Sequence, residues 1–365
     1  MDGVDARWMH LALSLGARGQ GQVWPNPAVG CVLVKKGRVI GRGWTQPGGR
    51  PHAERHALDQ AGENAHGATV YVTLEPCAHH GQSPPCADAL AAASVAHVVI
   101  ASSDPDPRTN GAGIARLQDA GIAVTTGVLQ DQAQRAHRGF FSRVQAGRPL
   151  VSLKLASSFD GRIATATGES QWITGTSARR QVHAMRARHD AVMIGAGTAR
   201  ADDPMLTVRD LGVTHQPVRV VVSRRLDLDP DGALARSAKD VPLWLCHGDG
   251  IDPKTLKPFA ARGARLIQCQ TAPDGQMDMV DVLQSLGSAG LTRIFCEGGG
   301  ALAASLLMAD LVDDLIGFTA GITLGAEGRP GIGATGLAQL SEAPRFQLVN
   351  TRAVGGDILH QWTRI

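Results

Sequence analysis

The chain has 365 residues, 43% of them apolar and 19% charged, with a formal net charge of +3. That is an ordinary globular composition, long enough for about two domains that each bury a core. The slight positive balance does not argue for nucleic acid, which needs a basic patch, and no apolar run reaches the roughly 18 residues of a membrane span.

The start MDGVDARWMHLALSL is acidic, and its apolar stretch is too short for a signal peptide. Six cysteines are few for this length. They fit thiols in a reducing cytoplasm better than a disulfide framework. Apolar Trp8, Met9, Leu11, Ala12 and Leu15 predict a helix over 6–18. Residues 28–43 read as a hairpin, with Val29 and Cys31 to Val34 in one strand, Lys36-Gly37 in the turn and Val39-Ile40 opening the next strand. Pro51 opens a helix to about residue 61, since proline suits the first helical position. A β-branched strand over 69–74 ends at Glu75-Pro76, an alanine-rich helix covers 85–93, and a strand over 97–101 runs into Asp104-Pro105-Asp106-Pro107. This alternation predicts a layered α/β domain.

Residues 145–149 read as a linker, which sets domains at 1–147 and 148–365. Beyond it, strands are expected at 150–156, 191–195, 218–222, 242–246, 264–268 and 293–296, and helices at 176–188, 278–288 and 300–309. From Leu315 the tail has strand-like stretches split by glycine-rich turns. There is no internal repeat and no low-complexity tract.

Three stretches carry chemistry: Pro51-His52-Ala53-Glu54, Glu75-Pro76-Cys77 and Pro84-Pro85-Cys86. One imidazole and two thiolates make three ligands for a catalytic zinc, whose fourth position stays open to water and lowers that water's pKa. Glu54 is then left as the proton carrier, the arrangement of zinc deaminases. Residues i and i+2 do not share a helix face, so His52 and Glu54 meet only if the metal lies off a helix N-terminus. Singly, each cysteine reads as a buried thiol and His52 as a surface residue; the ordered set with Glu54 favours the metal. A closed structural site with His79 or His80 as fourth ligand is the alternative, and it leaves Glu54 without a task.

HAERHAL, TLEPCAHHGQSPPC and PNPAVG together resemble the deaminase half of the bifunctional riboflavin-biosynthesis deaminase/reductases. Eight residues separate the two cysteines, a spacing typical of that family. The resemblance implies a cytidine-deaminase-like three-layer domain, zinc on His52, Cys77 and Cys86, and Glu54 as proton shuttle. It implies as substrate 2,5-diamino-6-ribosylamino-4(3H)-pyrimidinone 5′-phosphate.

In the second half, Gly195-Ala196-Gly197-Thr198 follows a strand and Gly298-Gly299-Gly300 precedes a helix. Each could offer backbone N–H groups to a phosphate, but neither fits the dinucleotide fingerprint, and spacing alone favours two plain turns. KLASSFDGRIATATGESQWIT, IGAGTARADDPMLTVR and FCEGGGALAASLL resemble the reductase half of the same family. That resemblance implies a dihydrofolate-reductase-like α/β domain using NADPH to reduce the ribosyl group to ribityl. It places Ala156, Trp172, Thr198, Asp202, Gly299, Gly300, Ala301, Leu302, Ala303, Ala304 and Ser305 at the cofactor, and Ser170, Arg186, Leu206, Arg209 and Glu297 at the substrate. Lys154 and Asp202 stand open as proton donors or as structural residues.

The chain departs from the family pattern at Thr45, where histidine is usual, at Gln82 for lysine or arginine, at Asp106 for asparagine, and at Ser223-Arg224 for Asp-Ser. Losing a cation and gaining a carboxylate both disfavour a phosphate, and Arg50 or Arg108 could compensate. Two other readings are a nucleic-acid deaminase, which would want basic or aromatic surfaces, and a zinc-stabilised binding protein with a degenerate reductase half. One Tyr and seven Phe weigh against the former. The oligomeric state is open, with a homo-oligomer possible.

Overall fold

Runs of Val, Ile and Leu between glycine turns build one large sheet in each of two units, Met1–Gly147 and Arg148–Ile365. The computed structural model describes residues 3–81 and 84–365. Unit 1 comprises α1 (Gly3–Gly16), β1 (Gly30–Lys35), β2 (Arg38–Trp44), α2 (Ala53–Ala61), β3 (Thr69–Val72), α3 (Cys86–Ala92), β4 (His97–Ile100), α4 (Ala112–Asp119), β5 (Ala123–Thr126) and α5 (Gln130–Ala146). Its five strands run in the order β2-β1-β3-β4-β5. β1 is antiparallel to both neighbours, and β3, β4 and β5 are mutually parallel.

The period-2 alternation of β1 sends Cys31 and Leu33 to one face and Val32 and Val34 to the other. The first face packs on Ala53 and Ala57 of α2, Leu90 of α3 and Leu117 of α4. The second packs on Met9, Ala12 and Leu15 of α1 and Ala133 of α5. The result is three layers, helix on sheet on helix. Two sequence expectations move. Helix α2 starts at Ala53, not at Pro51, because His52 before it keeps an extended backbone (φ −67°, ψ 161°). The expected linker overlaps the last turn of α5. No element was expected over 112–144, where α4, β5 and α5 form; α5 is polar overall and buries only Ala133, His137, Gly139 and Phe140 of its 17 residues, so its narrow apolar face was missed.

Unit 2 comprises β6 (Leu150–Ser158), β7 (Arg162–Ala164), α6 (Thr176–Arg186), β8 (Ala191–Gly195), α7 (Ala196–Asp202), β9 (Val218–Val222), α8 (Ala233–Arg236), β10 (Leu243–His247), α9 (Pro253–Ala261), β11 (Arg265–Gln268), α10 (Met279–Ser288), β12 (Arg293–Cys296), α11 (Gly300–Met308), β13 (Asp314–Ala320), β14 (Arg329–Pro330), β15 (Phe346–Val354) and β16 (Asp357–Arg364). Nine strands form the order β11-β10-β9-β8-β12-β6-β13-β16-β15. The six strands from β11 to β6, with β13, are parallel, and β16 and β15 close that edge as an antiparallel hairpin. Strand β12 returns late in the chain to lie between β6 and β8, so the carboxyl ends of three strands distant in sequence come side by side. Among the described residues no helix is long and apolar enough to cross a membrane.

Candidate metal centre and phosphate cleft

In unit 1 the segment after β3 delivers Cys77, while His52 caps α2 and Cys86 opens α3. His52 Nδ1 lies 3.7 Å from Cys77 Sγ and 3.4 Å from Cys86 Sγ, and the Cys86 backbone N–H donates to Cys77 Sγ at 3.3 Å. All three ligand atoms fall within 4.8 Å of one another. One nitrogen and two sulfurs at that spacing fit a tetrahedral zinc with one position left over. His79 and His80 do not join this cluster, and His79 Nδ1 is 3.3 Å from Thr109 Oγ1 instead. The closed four-ligand alternative therefore loses its extra ligand.

A hydrogen bond from the Cys86 thiol pulls the Cys77 thiol down to about 4, against burial and with help from His52. The same bond and burial push Cys86 up, so the pair already shares one negative charge for a cation to meet. Glu54, in the first turn of α2, is 4% exposed. Burial pushes its carboxyl up to about 7, which suits a group that must take and return a proton near neutrality.

His52, Glu54 and Cys77 face a cavity of about 480 Å³ that is also lined by Asn26, Thr45, Arg50, Glu75, Asp104, Asp106, Arg108, Phe140 and Arg143. Glu75 is 3% exposed and accepts four backbone N–H bonds, from Asp104 (3.3 Å), Gly111 (3.1 Å), Gly113 (3.0 Å) and Ile114 (3.3 Å). One carboxylate two residues before a ligand cysteine thus pins the 104–114 loop that forms the far wall. Gly113 is required there, since a Cβ would sit 2.0 Å from the Pro76 carbonyl oxygen.

The departures have visible local roles. Thr45 is buried; its hydroxyl donates to the Pro27 carbonyl at 2.9 Å and accepts from the Val29 N–H at 3.0 Å, bracing the PNPAVG segment. Asp106 is clamped by Arg108. The Arg50 guanidinium reaches to 3.2 Å from where a Cβ on Gly81 would stand. Gln82 lies outside the described residues. Arg143 and Asp104 were not singled out in the sequence, because no helix was expected over α5 and Asp104 sits in a proline-rich turn.

In unit 2 the turns Gly195-Ala196-Gly197 and Gly298-Gly299-Gly300 follow the adjacent parallel strands β8 and β12 and open α7 and α11. Two helix N-termini thus lie side by side at carboxyl strand ends, where α/β sheets take ligands. A Cβ on Gly299 would come within 3.1 Å of Thr198 Oγ1, and one on Gly300 within 2.9 Å of the Pro330 carbonyl oxygen. Leu302, Ala303 and Ala304 are buried under this cradle, and the Ser305 hydroxyl turns back to the Ala301 carbonyl at 3.1 Å. Trp172 is 66% exposed with the Arg179 guanidinium 4.5 Å over its ring. Ala156 pairs with Phe318 of β13, Ser170 is half-buried in the segment before α6, and Asp202 is exposed at the end of α7.

The ionic centre is Glu297, just past β12. Arg186 grips it through Nε at 2.5 Å and Nη2 at 3.1 Å, and Lys154 Nζ stands 3.8 Å away. Burial works to raise the Glu297 carboxyl, and the two cations outweigh it and hold it low. Burial lowers the Lys154 amine. Arg186 also donates to the Thr207 carbonyl at 2.9 Å, and the Arg209 N–H meets His183 Nδ1 at 3.3 Å, so the 206–209 loop is tied to α6. Leu206 in that loop has φ +52°, a left-handed conformation costly for leucine and held by the surrounding contacts.

Residues 3–102 match the cytidine and deoxycytidylate deaminase zinc-binding region, and residues 149–360 match the RibD C-terminal domain. The riboflavin biosynthesis protein RibD of Escherichia coli is 40% identical, over 97% of this chain and 98% of that protein. The same-named protein of Haemophilus influenzae is 41% identical, over 98% of this chain and 97% of that protein. Among solved structures, Acinetobacter baumannii RibD aligns with TM-score 0.88 and 37% identity over 99% of both chains. The diaminohydroxyphosphoribosylaminopyrimidine deaminase/5-amino-6-(5-phosphoribosylamino)uracil reductase of Thermotoga maritima aligns with TM-score 0.85 and 32% identity over 99% of both.

Proposed function

The chain belongs to the RibD family of bifunctional riboflavin-biosynthesis deaminase/reductases, and from that premise we propose how its residues divide the two reactions. The deaminase domain is cytidine-deaminase-like and zinc-binding, and the second is the reductase domain. The observation that carries the residue assignment is the convergence of His52, Cys77 and Cys86 beside the buried carboxyl of Glu54.

His52, Cys77 and Cys86 would hold zinc, which supplies a Lewis acid that activates water when bound. Glu54 takes one proton from the attacking water and passes it to the ring nitrogen of 2,5-diamino-6-ribosylamino-4(3H)-pyrimidinone 5′-phosphate, and then carries a second, from the hydroxyl so added, to the departing amine. Arg50 stands on the Gly81 side of the cavity as a contact for the phosphate. Arg50→Ala is then expected to raise KM for the phosphorylated substrate and leave zinc content intact.

In unit 2, NADPH would lie along the two glycine turns, its phosphates at the N-termini of α7 and α11, with Thr198 and Trp172 beside it. The cradle fits such a group, because side chains at Gly299 and Gly300 would fill it. Arg186 and Arg209 would hold the substrate, with Glu297 fixing Arg186. Lys154, half-buried beside Glu297, is better enclosed to move a proton than the exposed Asp202. NADPH, when bound, would supply hydride to the ribosyl carbon next to the ring-bound nitrogen as that carbon's bond to the ring oxygen breaks, and Lys154 would supply the proton that the released oxygen takes up.

The deciding experiment supplies the diamino substrate with and without NADPH and identifies products by mass. Without NADPH the product exchanges one amine for oxygen, and with it the product gains a further pair of hydrogens. Substrate returned unchanged in both cases would overturn the reading.

A further inference from the structure

We propose that Asp160 is a positioning residue of the reductase cofactor site: it clasps the glycine-rich segment 321–333 and, through that segment, fixes the N-terminus of α11. This rests on the reading that NADPH lies along the two glycine turns of unit 2.

Strands β6 and β13 run parallel with Ser158 beside Ala320, so the segments that leave their carboxyl ends start side by side. The segment after β13 holds six glycines in the sixteen residues 321–336. Glycine loses the most backbone freedom on ordering, so a single path for this segment needs contacts that fix it. Between 321 and 333 the buried positions are Gly328 and Gly331, and no apolar side chain is sunk into a core. Hydrogen bonds hold the path instead, and Asp160 makes the first of them. Its Oδ2 accepts the Gly325 N–H at 2.7 Å and the Leu324 N–H at 3.2 Å, its Oδ1 lies 3.1 Å from the same Leu324 nitrogen, and the Ser158 hydroxyl donates to Oδ1 at 2.5 Å. Two neighbours tighten the same turn. The Phe159 N–H donates to the Ile322 carbonyl at 2.8 Å, and Arg162 Nε donates to the Gly325 carbonyl at 3.0 Å. The bond from Ser158 first, and those from Gly325 and Leu324 after it, hold the Asp160 carboxyl down at about 2, so it stays an acceptor near neutral pH.

From that clasp the segment runs to the cofactor cradle. Strand β14 pairs with β7, with Arg329 beside Ala164 and Pro330 beside Arg162. The Gly331 N–H donates to the Gly161 carbonyl at 3.0 Å, and the Gly333 N–H donates to the Gly300 carbonyl at 2.8 Å. Gly300 is the first residue of α11, and a Cβ on it would sit 2.9 Å from the Pro330 carbonyl oxygen and 3.1 Å from the Gly333 nitrogen. The first turn of α11 therefore rests on residues 330–333. Its free N–H groups serve a phosphate only while that turn is held in place. Asp160 is exposed, so water competes for its bonds and its effect on the cofactor is moderate.

The test uses the full chain. It follows NADPH Kd by fluorescence titration, kcat and the KM for NADPH on the deaminated pyrimidine, and amide hydrogen exchange of residues 321–333 by mass spectrometry. Asp160→Ala is expected to speed exchange across that segment and to raise Kd and KM for NADPH by about 5- to 30-fold, with kcat at saturating cofactor changed by less than about 3-fold. Asp160→Asn keeps one acceptor oxygen and should fall between the parent and Asp160→Ala; it carries the test if the alanine variant does not fold. Saturating NADPH should slow exchange in either variant back toward the parent, because coupling between the segment and the cofactor is reciprocal. A clasp that only stabilises the fold would give faster exchange with an unchanged Kd, and that result in Asp160→Asn would overturn the proposal, as would exchange at the parent's rate. Gly299→Val fills the cradle itself and separates the two ideas. If it weakens NADPH while Asp160→Asn does not, the cofactor site stands and the clasp falls. If it binds NADPH as the parent does, the reading of the cofactor site is overturned and the proposal with it.

Discussion

At the residue scale, the metal centre makes two claims that separate cleanly. Cys77→Ser or Cys86→Ser replaces a thiolate with a hydroxyl that is a far poorer zinc ligand at neutral pH. Each variant should lose zinc and deamination together while reductase activity persists; full zinc in both would remove the ligand assignment. Glu54→Gln keeps the shape and removes the proton-carrying function. It should retain zinc and lose about 10²–10⁴-fold in deamination. A near-normal rate in that variant would mean the proton travels by another group. A third residue tests stability. Burial lowers His189 from 6.5 to about 4, while its ring bonds the Met185 carbonyl at 2.7 Å and Ser152 Oγ at 3.2 Å. The folded ring stays neutral where the unfolded one binds a proton, so its contribution is complete above about pH 6.5 and is lost as pH falls toward about 4, to the order of 3 kcal/mol. Its buried neighbour Asp190 has a raised pKa and works in the opposite direction. In His189→Gln the fall in urea midpoint between about pH 7 and about pH 5 should be visibly shallower than in the parent; identical slopes would rule out His189 as the source.

At the scale of elements, the proposed NADPH site draws on the carboxyl ends of β8, β9 and β12. With the pyrophosphate at the glycine turns after β8 and β12, as proposed, the turn after the neighbouring β9 would face the other end of the cofactor, and it carries Ser223-Arg224-Arg225. Arg200 of α7 meets Asp227 at 2.9 Å and Arg225 meets it at 3.8 Å, both on the surface, whereas Arg224 turns away to the Gly275 carbonyl at 2.5 Å. Exposed ion pairs of this kind are weak, so a 2′-phosphate can draw both guanidiniums from Asp227 at little cost. NADPH should therefore be preferred over NADH, and Arg200→Ala with Arg225→Ala should raise KM for NADPH about 10-fold while leaving NADH unchanged. Equal kcat/KM for the two cofactors in the parent chain would remove this role.

At the scale of the whole molecule, each unit carries its own sheet and its own buried clusters. Neither chemistry borrows a core from the other. A mixture of Glu54→Gln chains and Arg186→Ala chains should therefore convert the diamino substrate to the reduced product after a lag in which deaminated intermediate accumulates. Each variant alone should stop at its own step. No reduced product from the mixture would show that the two steps must occur on one chain.

The convergence of His52, Cys77 and Cys86 beside Glu54 was legible in the chain itself, because the four sit in short stretches whose residue types have few other chemical uses together. The main strands were legible too, since apolar runs of five or six residues such as β1, β9 and β10 have to bury both faces. Tertiary structure alone decided the rest. The late return of β12 between β6 and β8 brings Glu297 to Lys154 and Arg186, a contact that no local spacing encodes. Polar α5 became a helix because Ala133 and Phe140 found the two cores of unit 1, and only that placed Arg143 on the cavity. Glu75 likewise reads as one more acid until the fold presents it with four backbone N–H groups from residues 29 to 39 positions away. Periodicity reports which face of an element is apolar, whereas the partners of a charge are set by which elements the burial of those faces forces together.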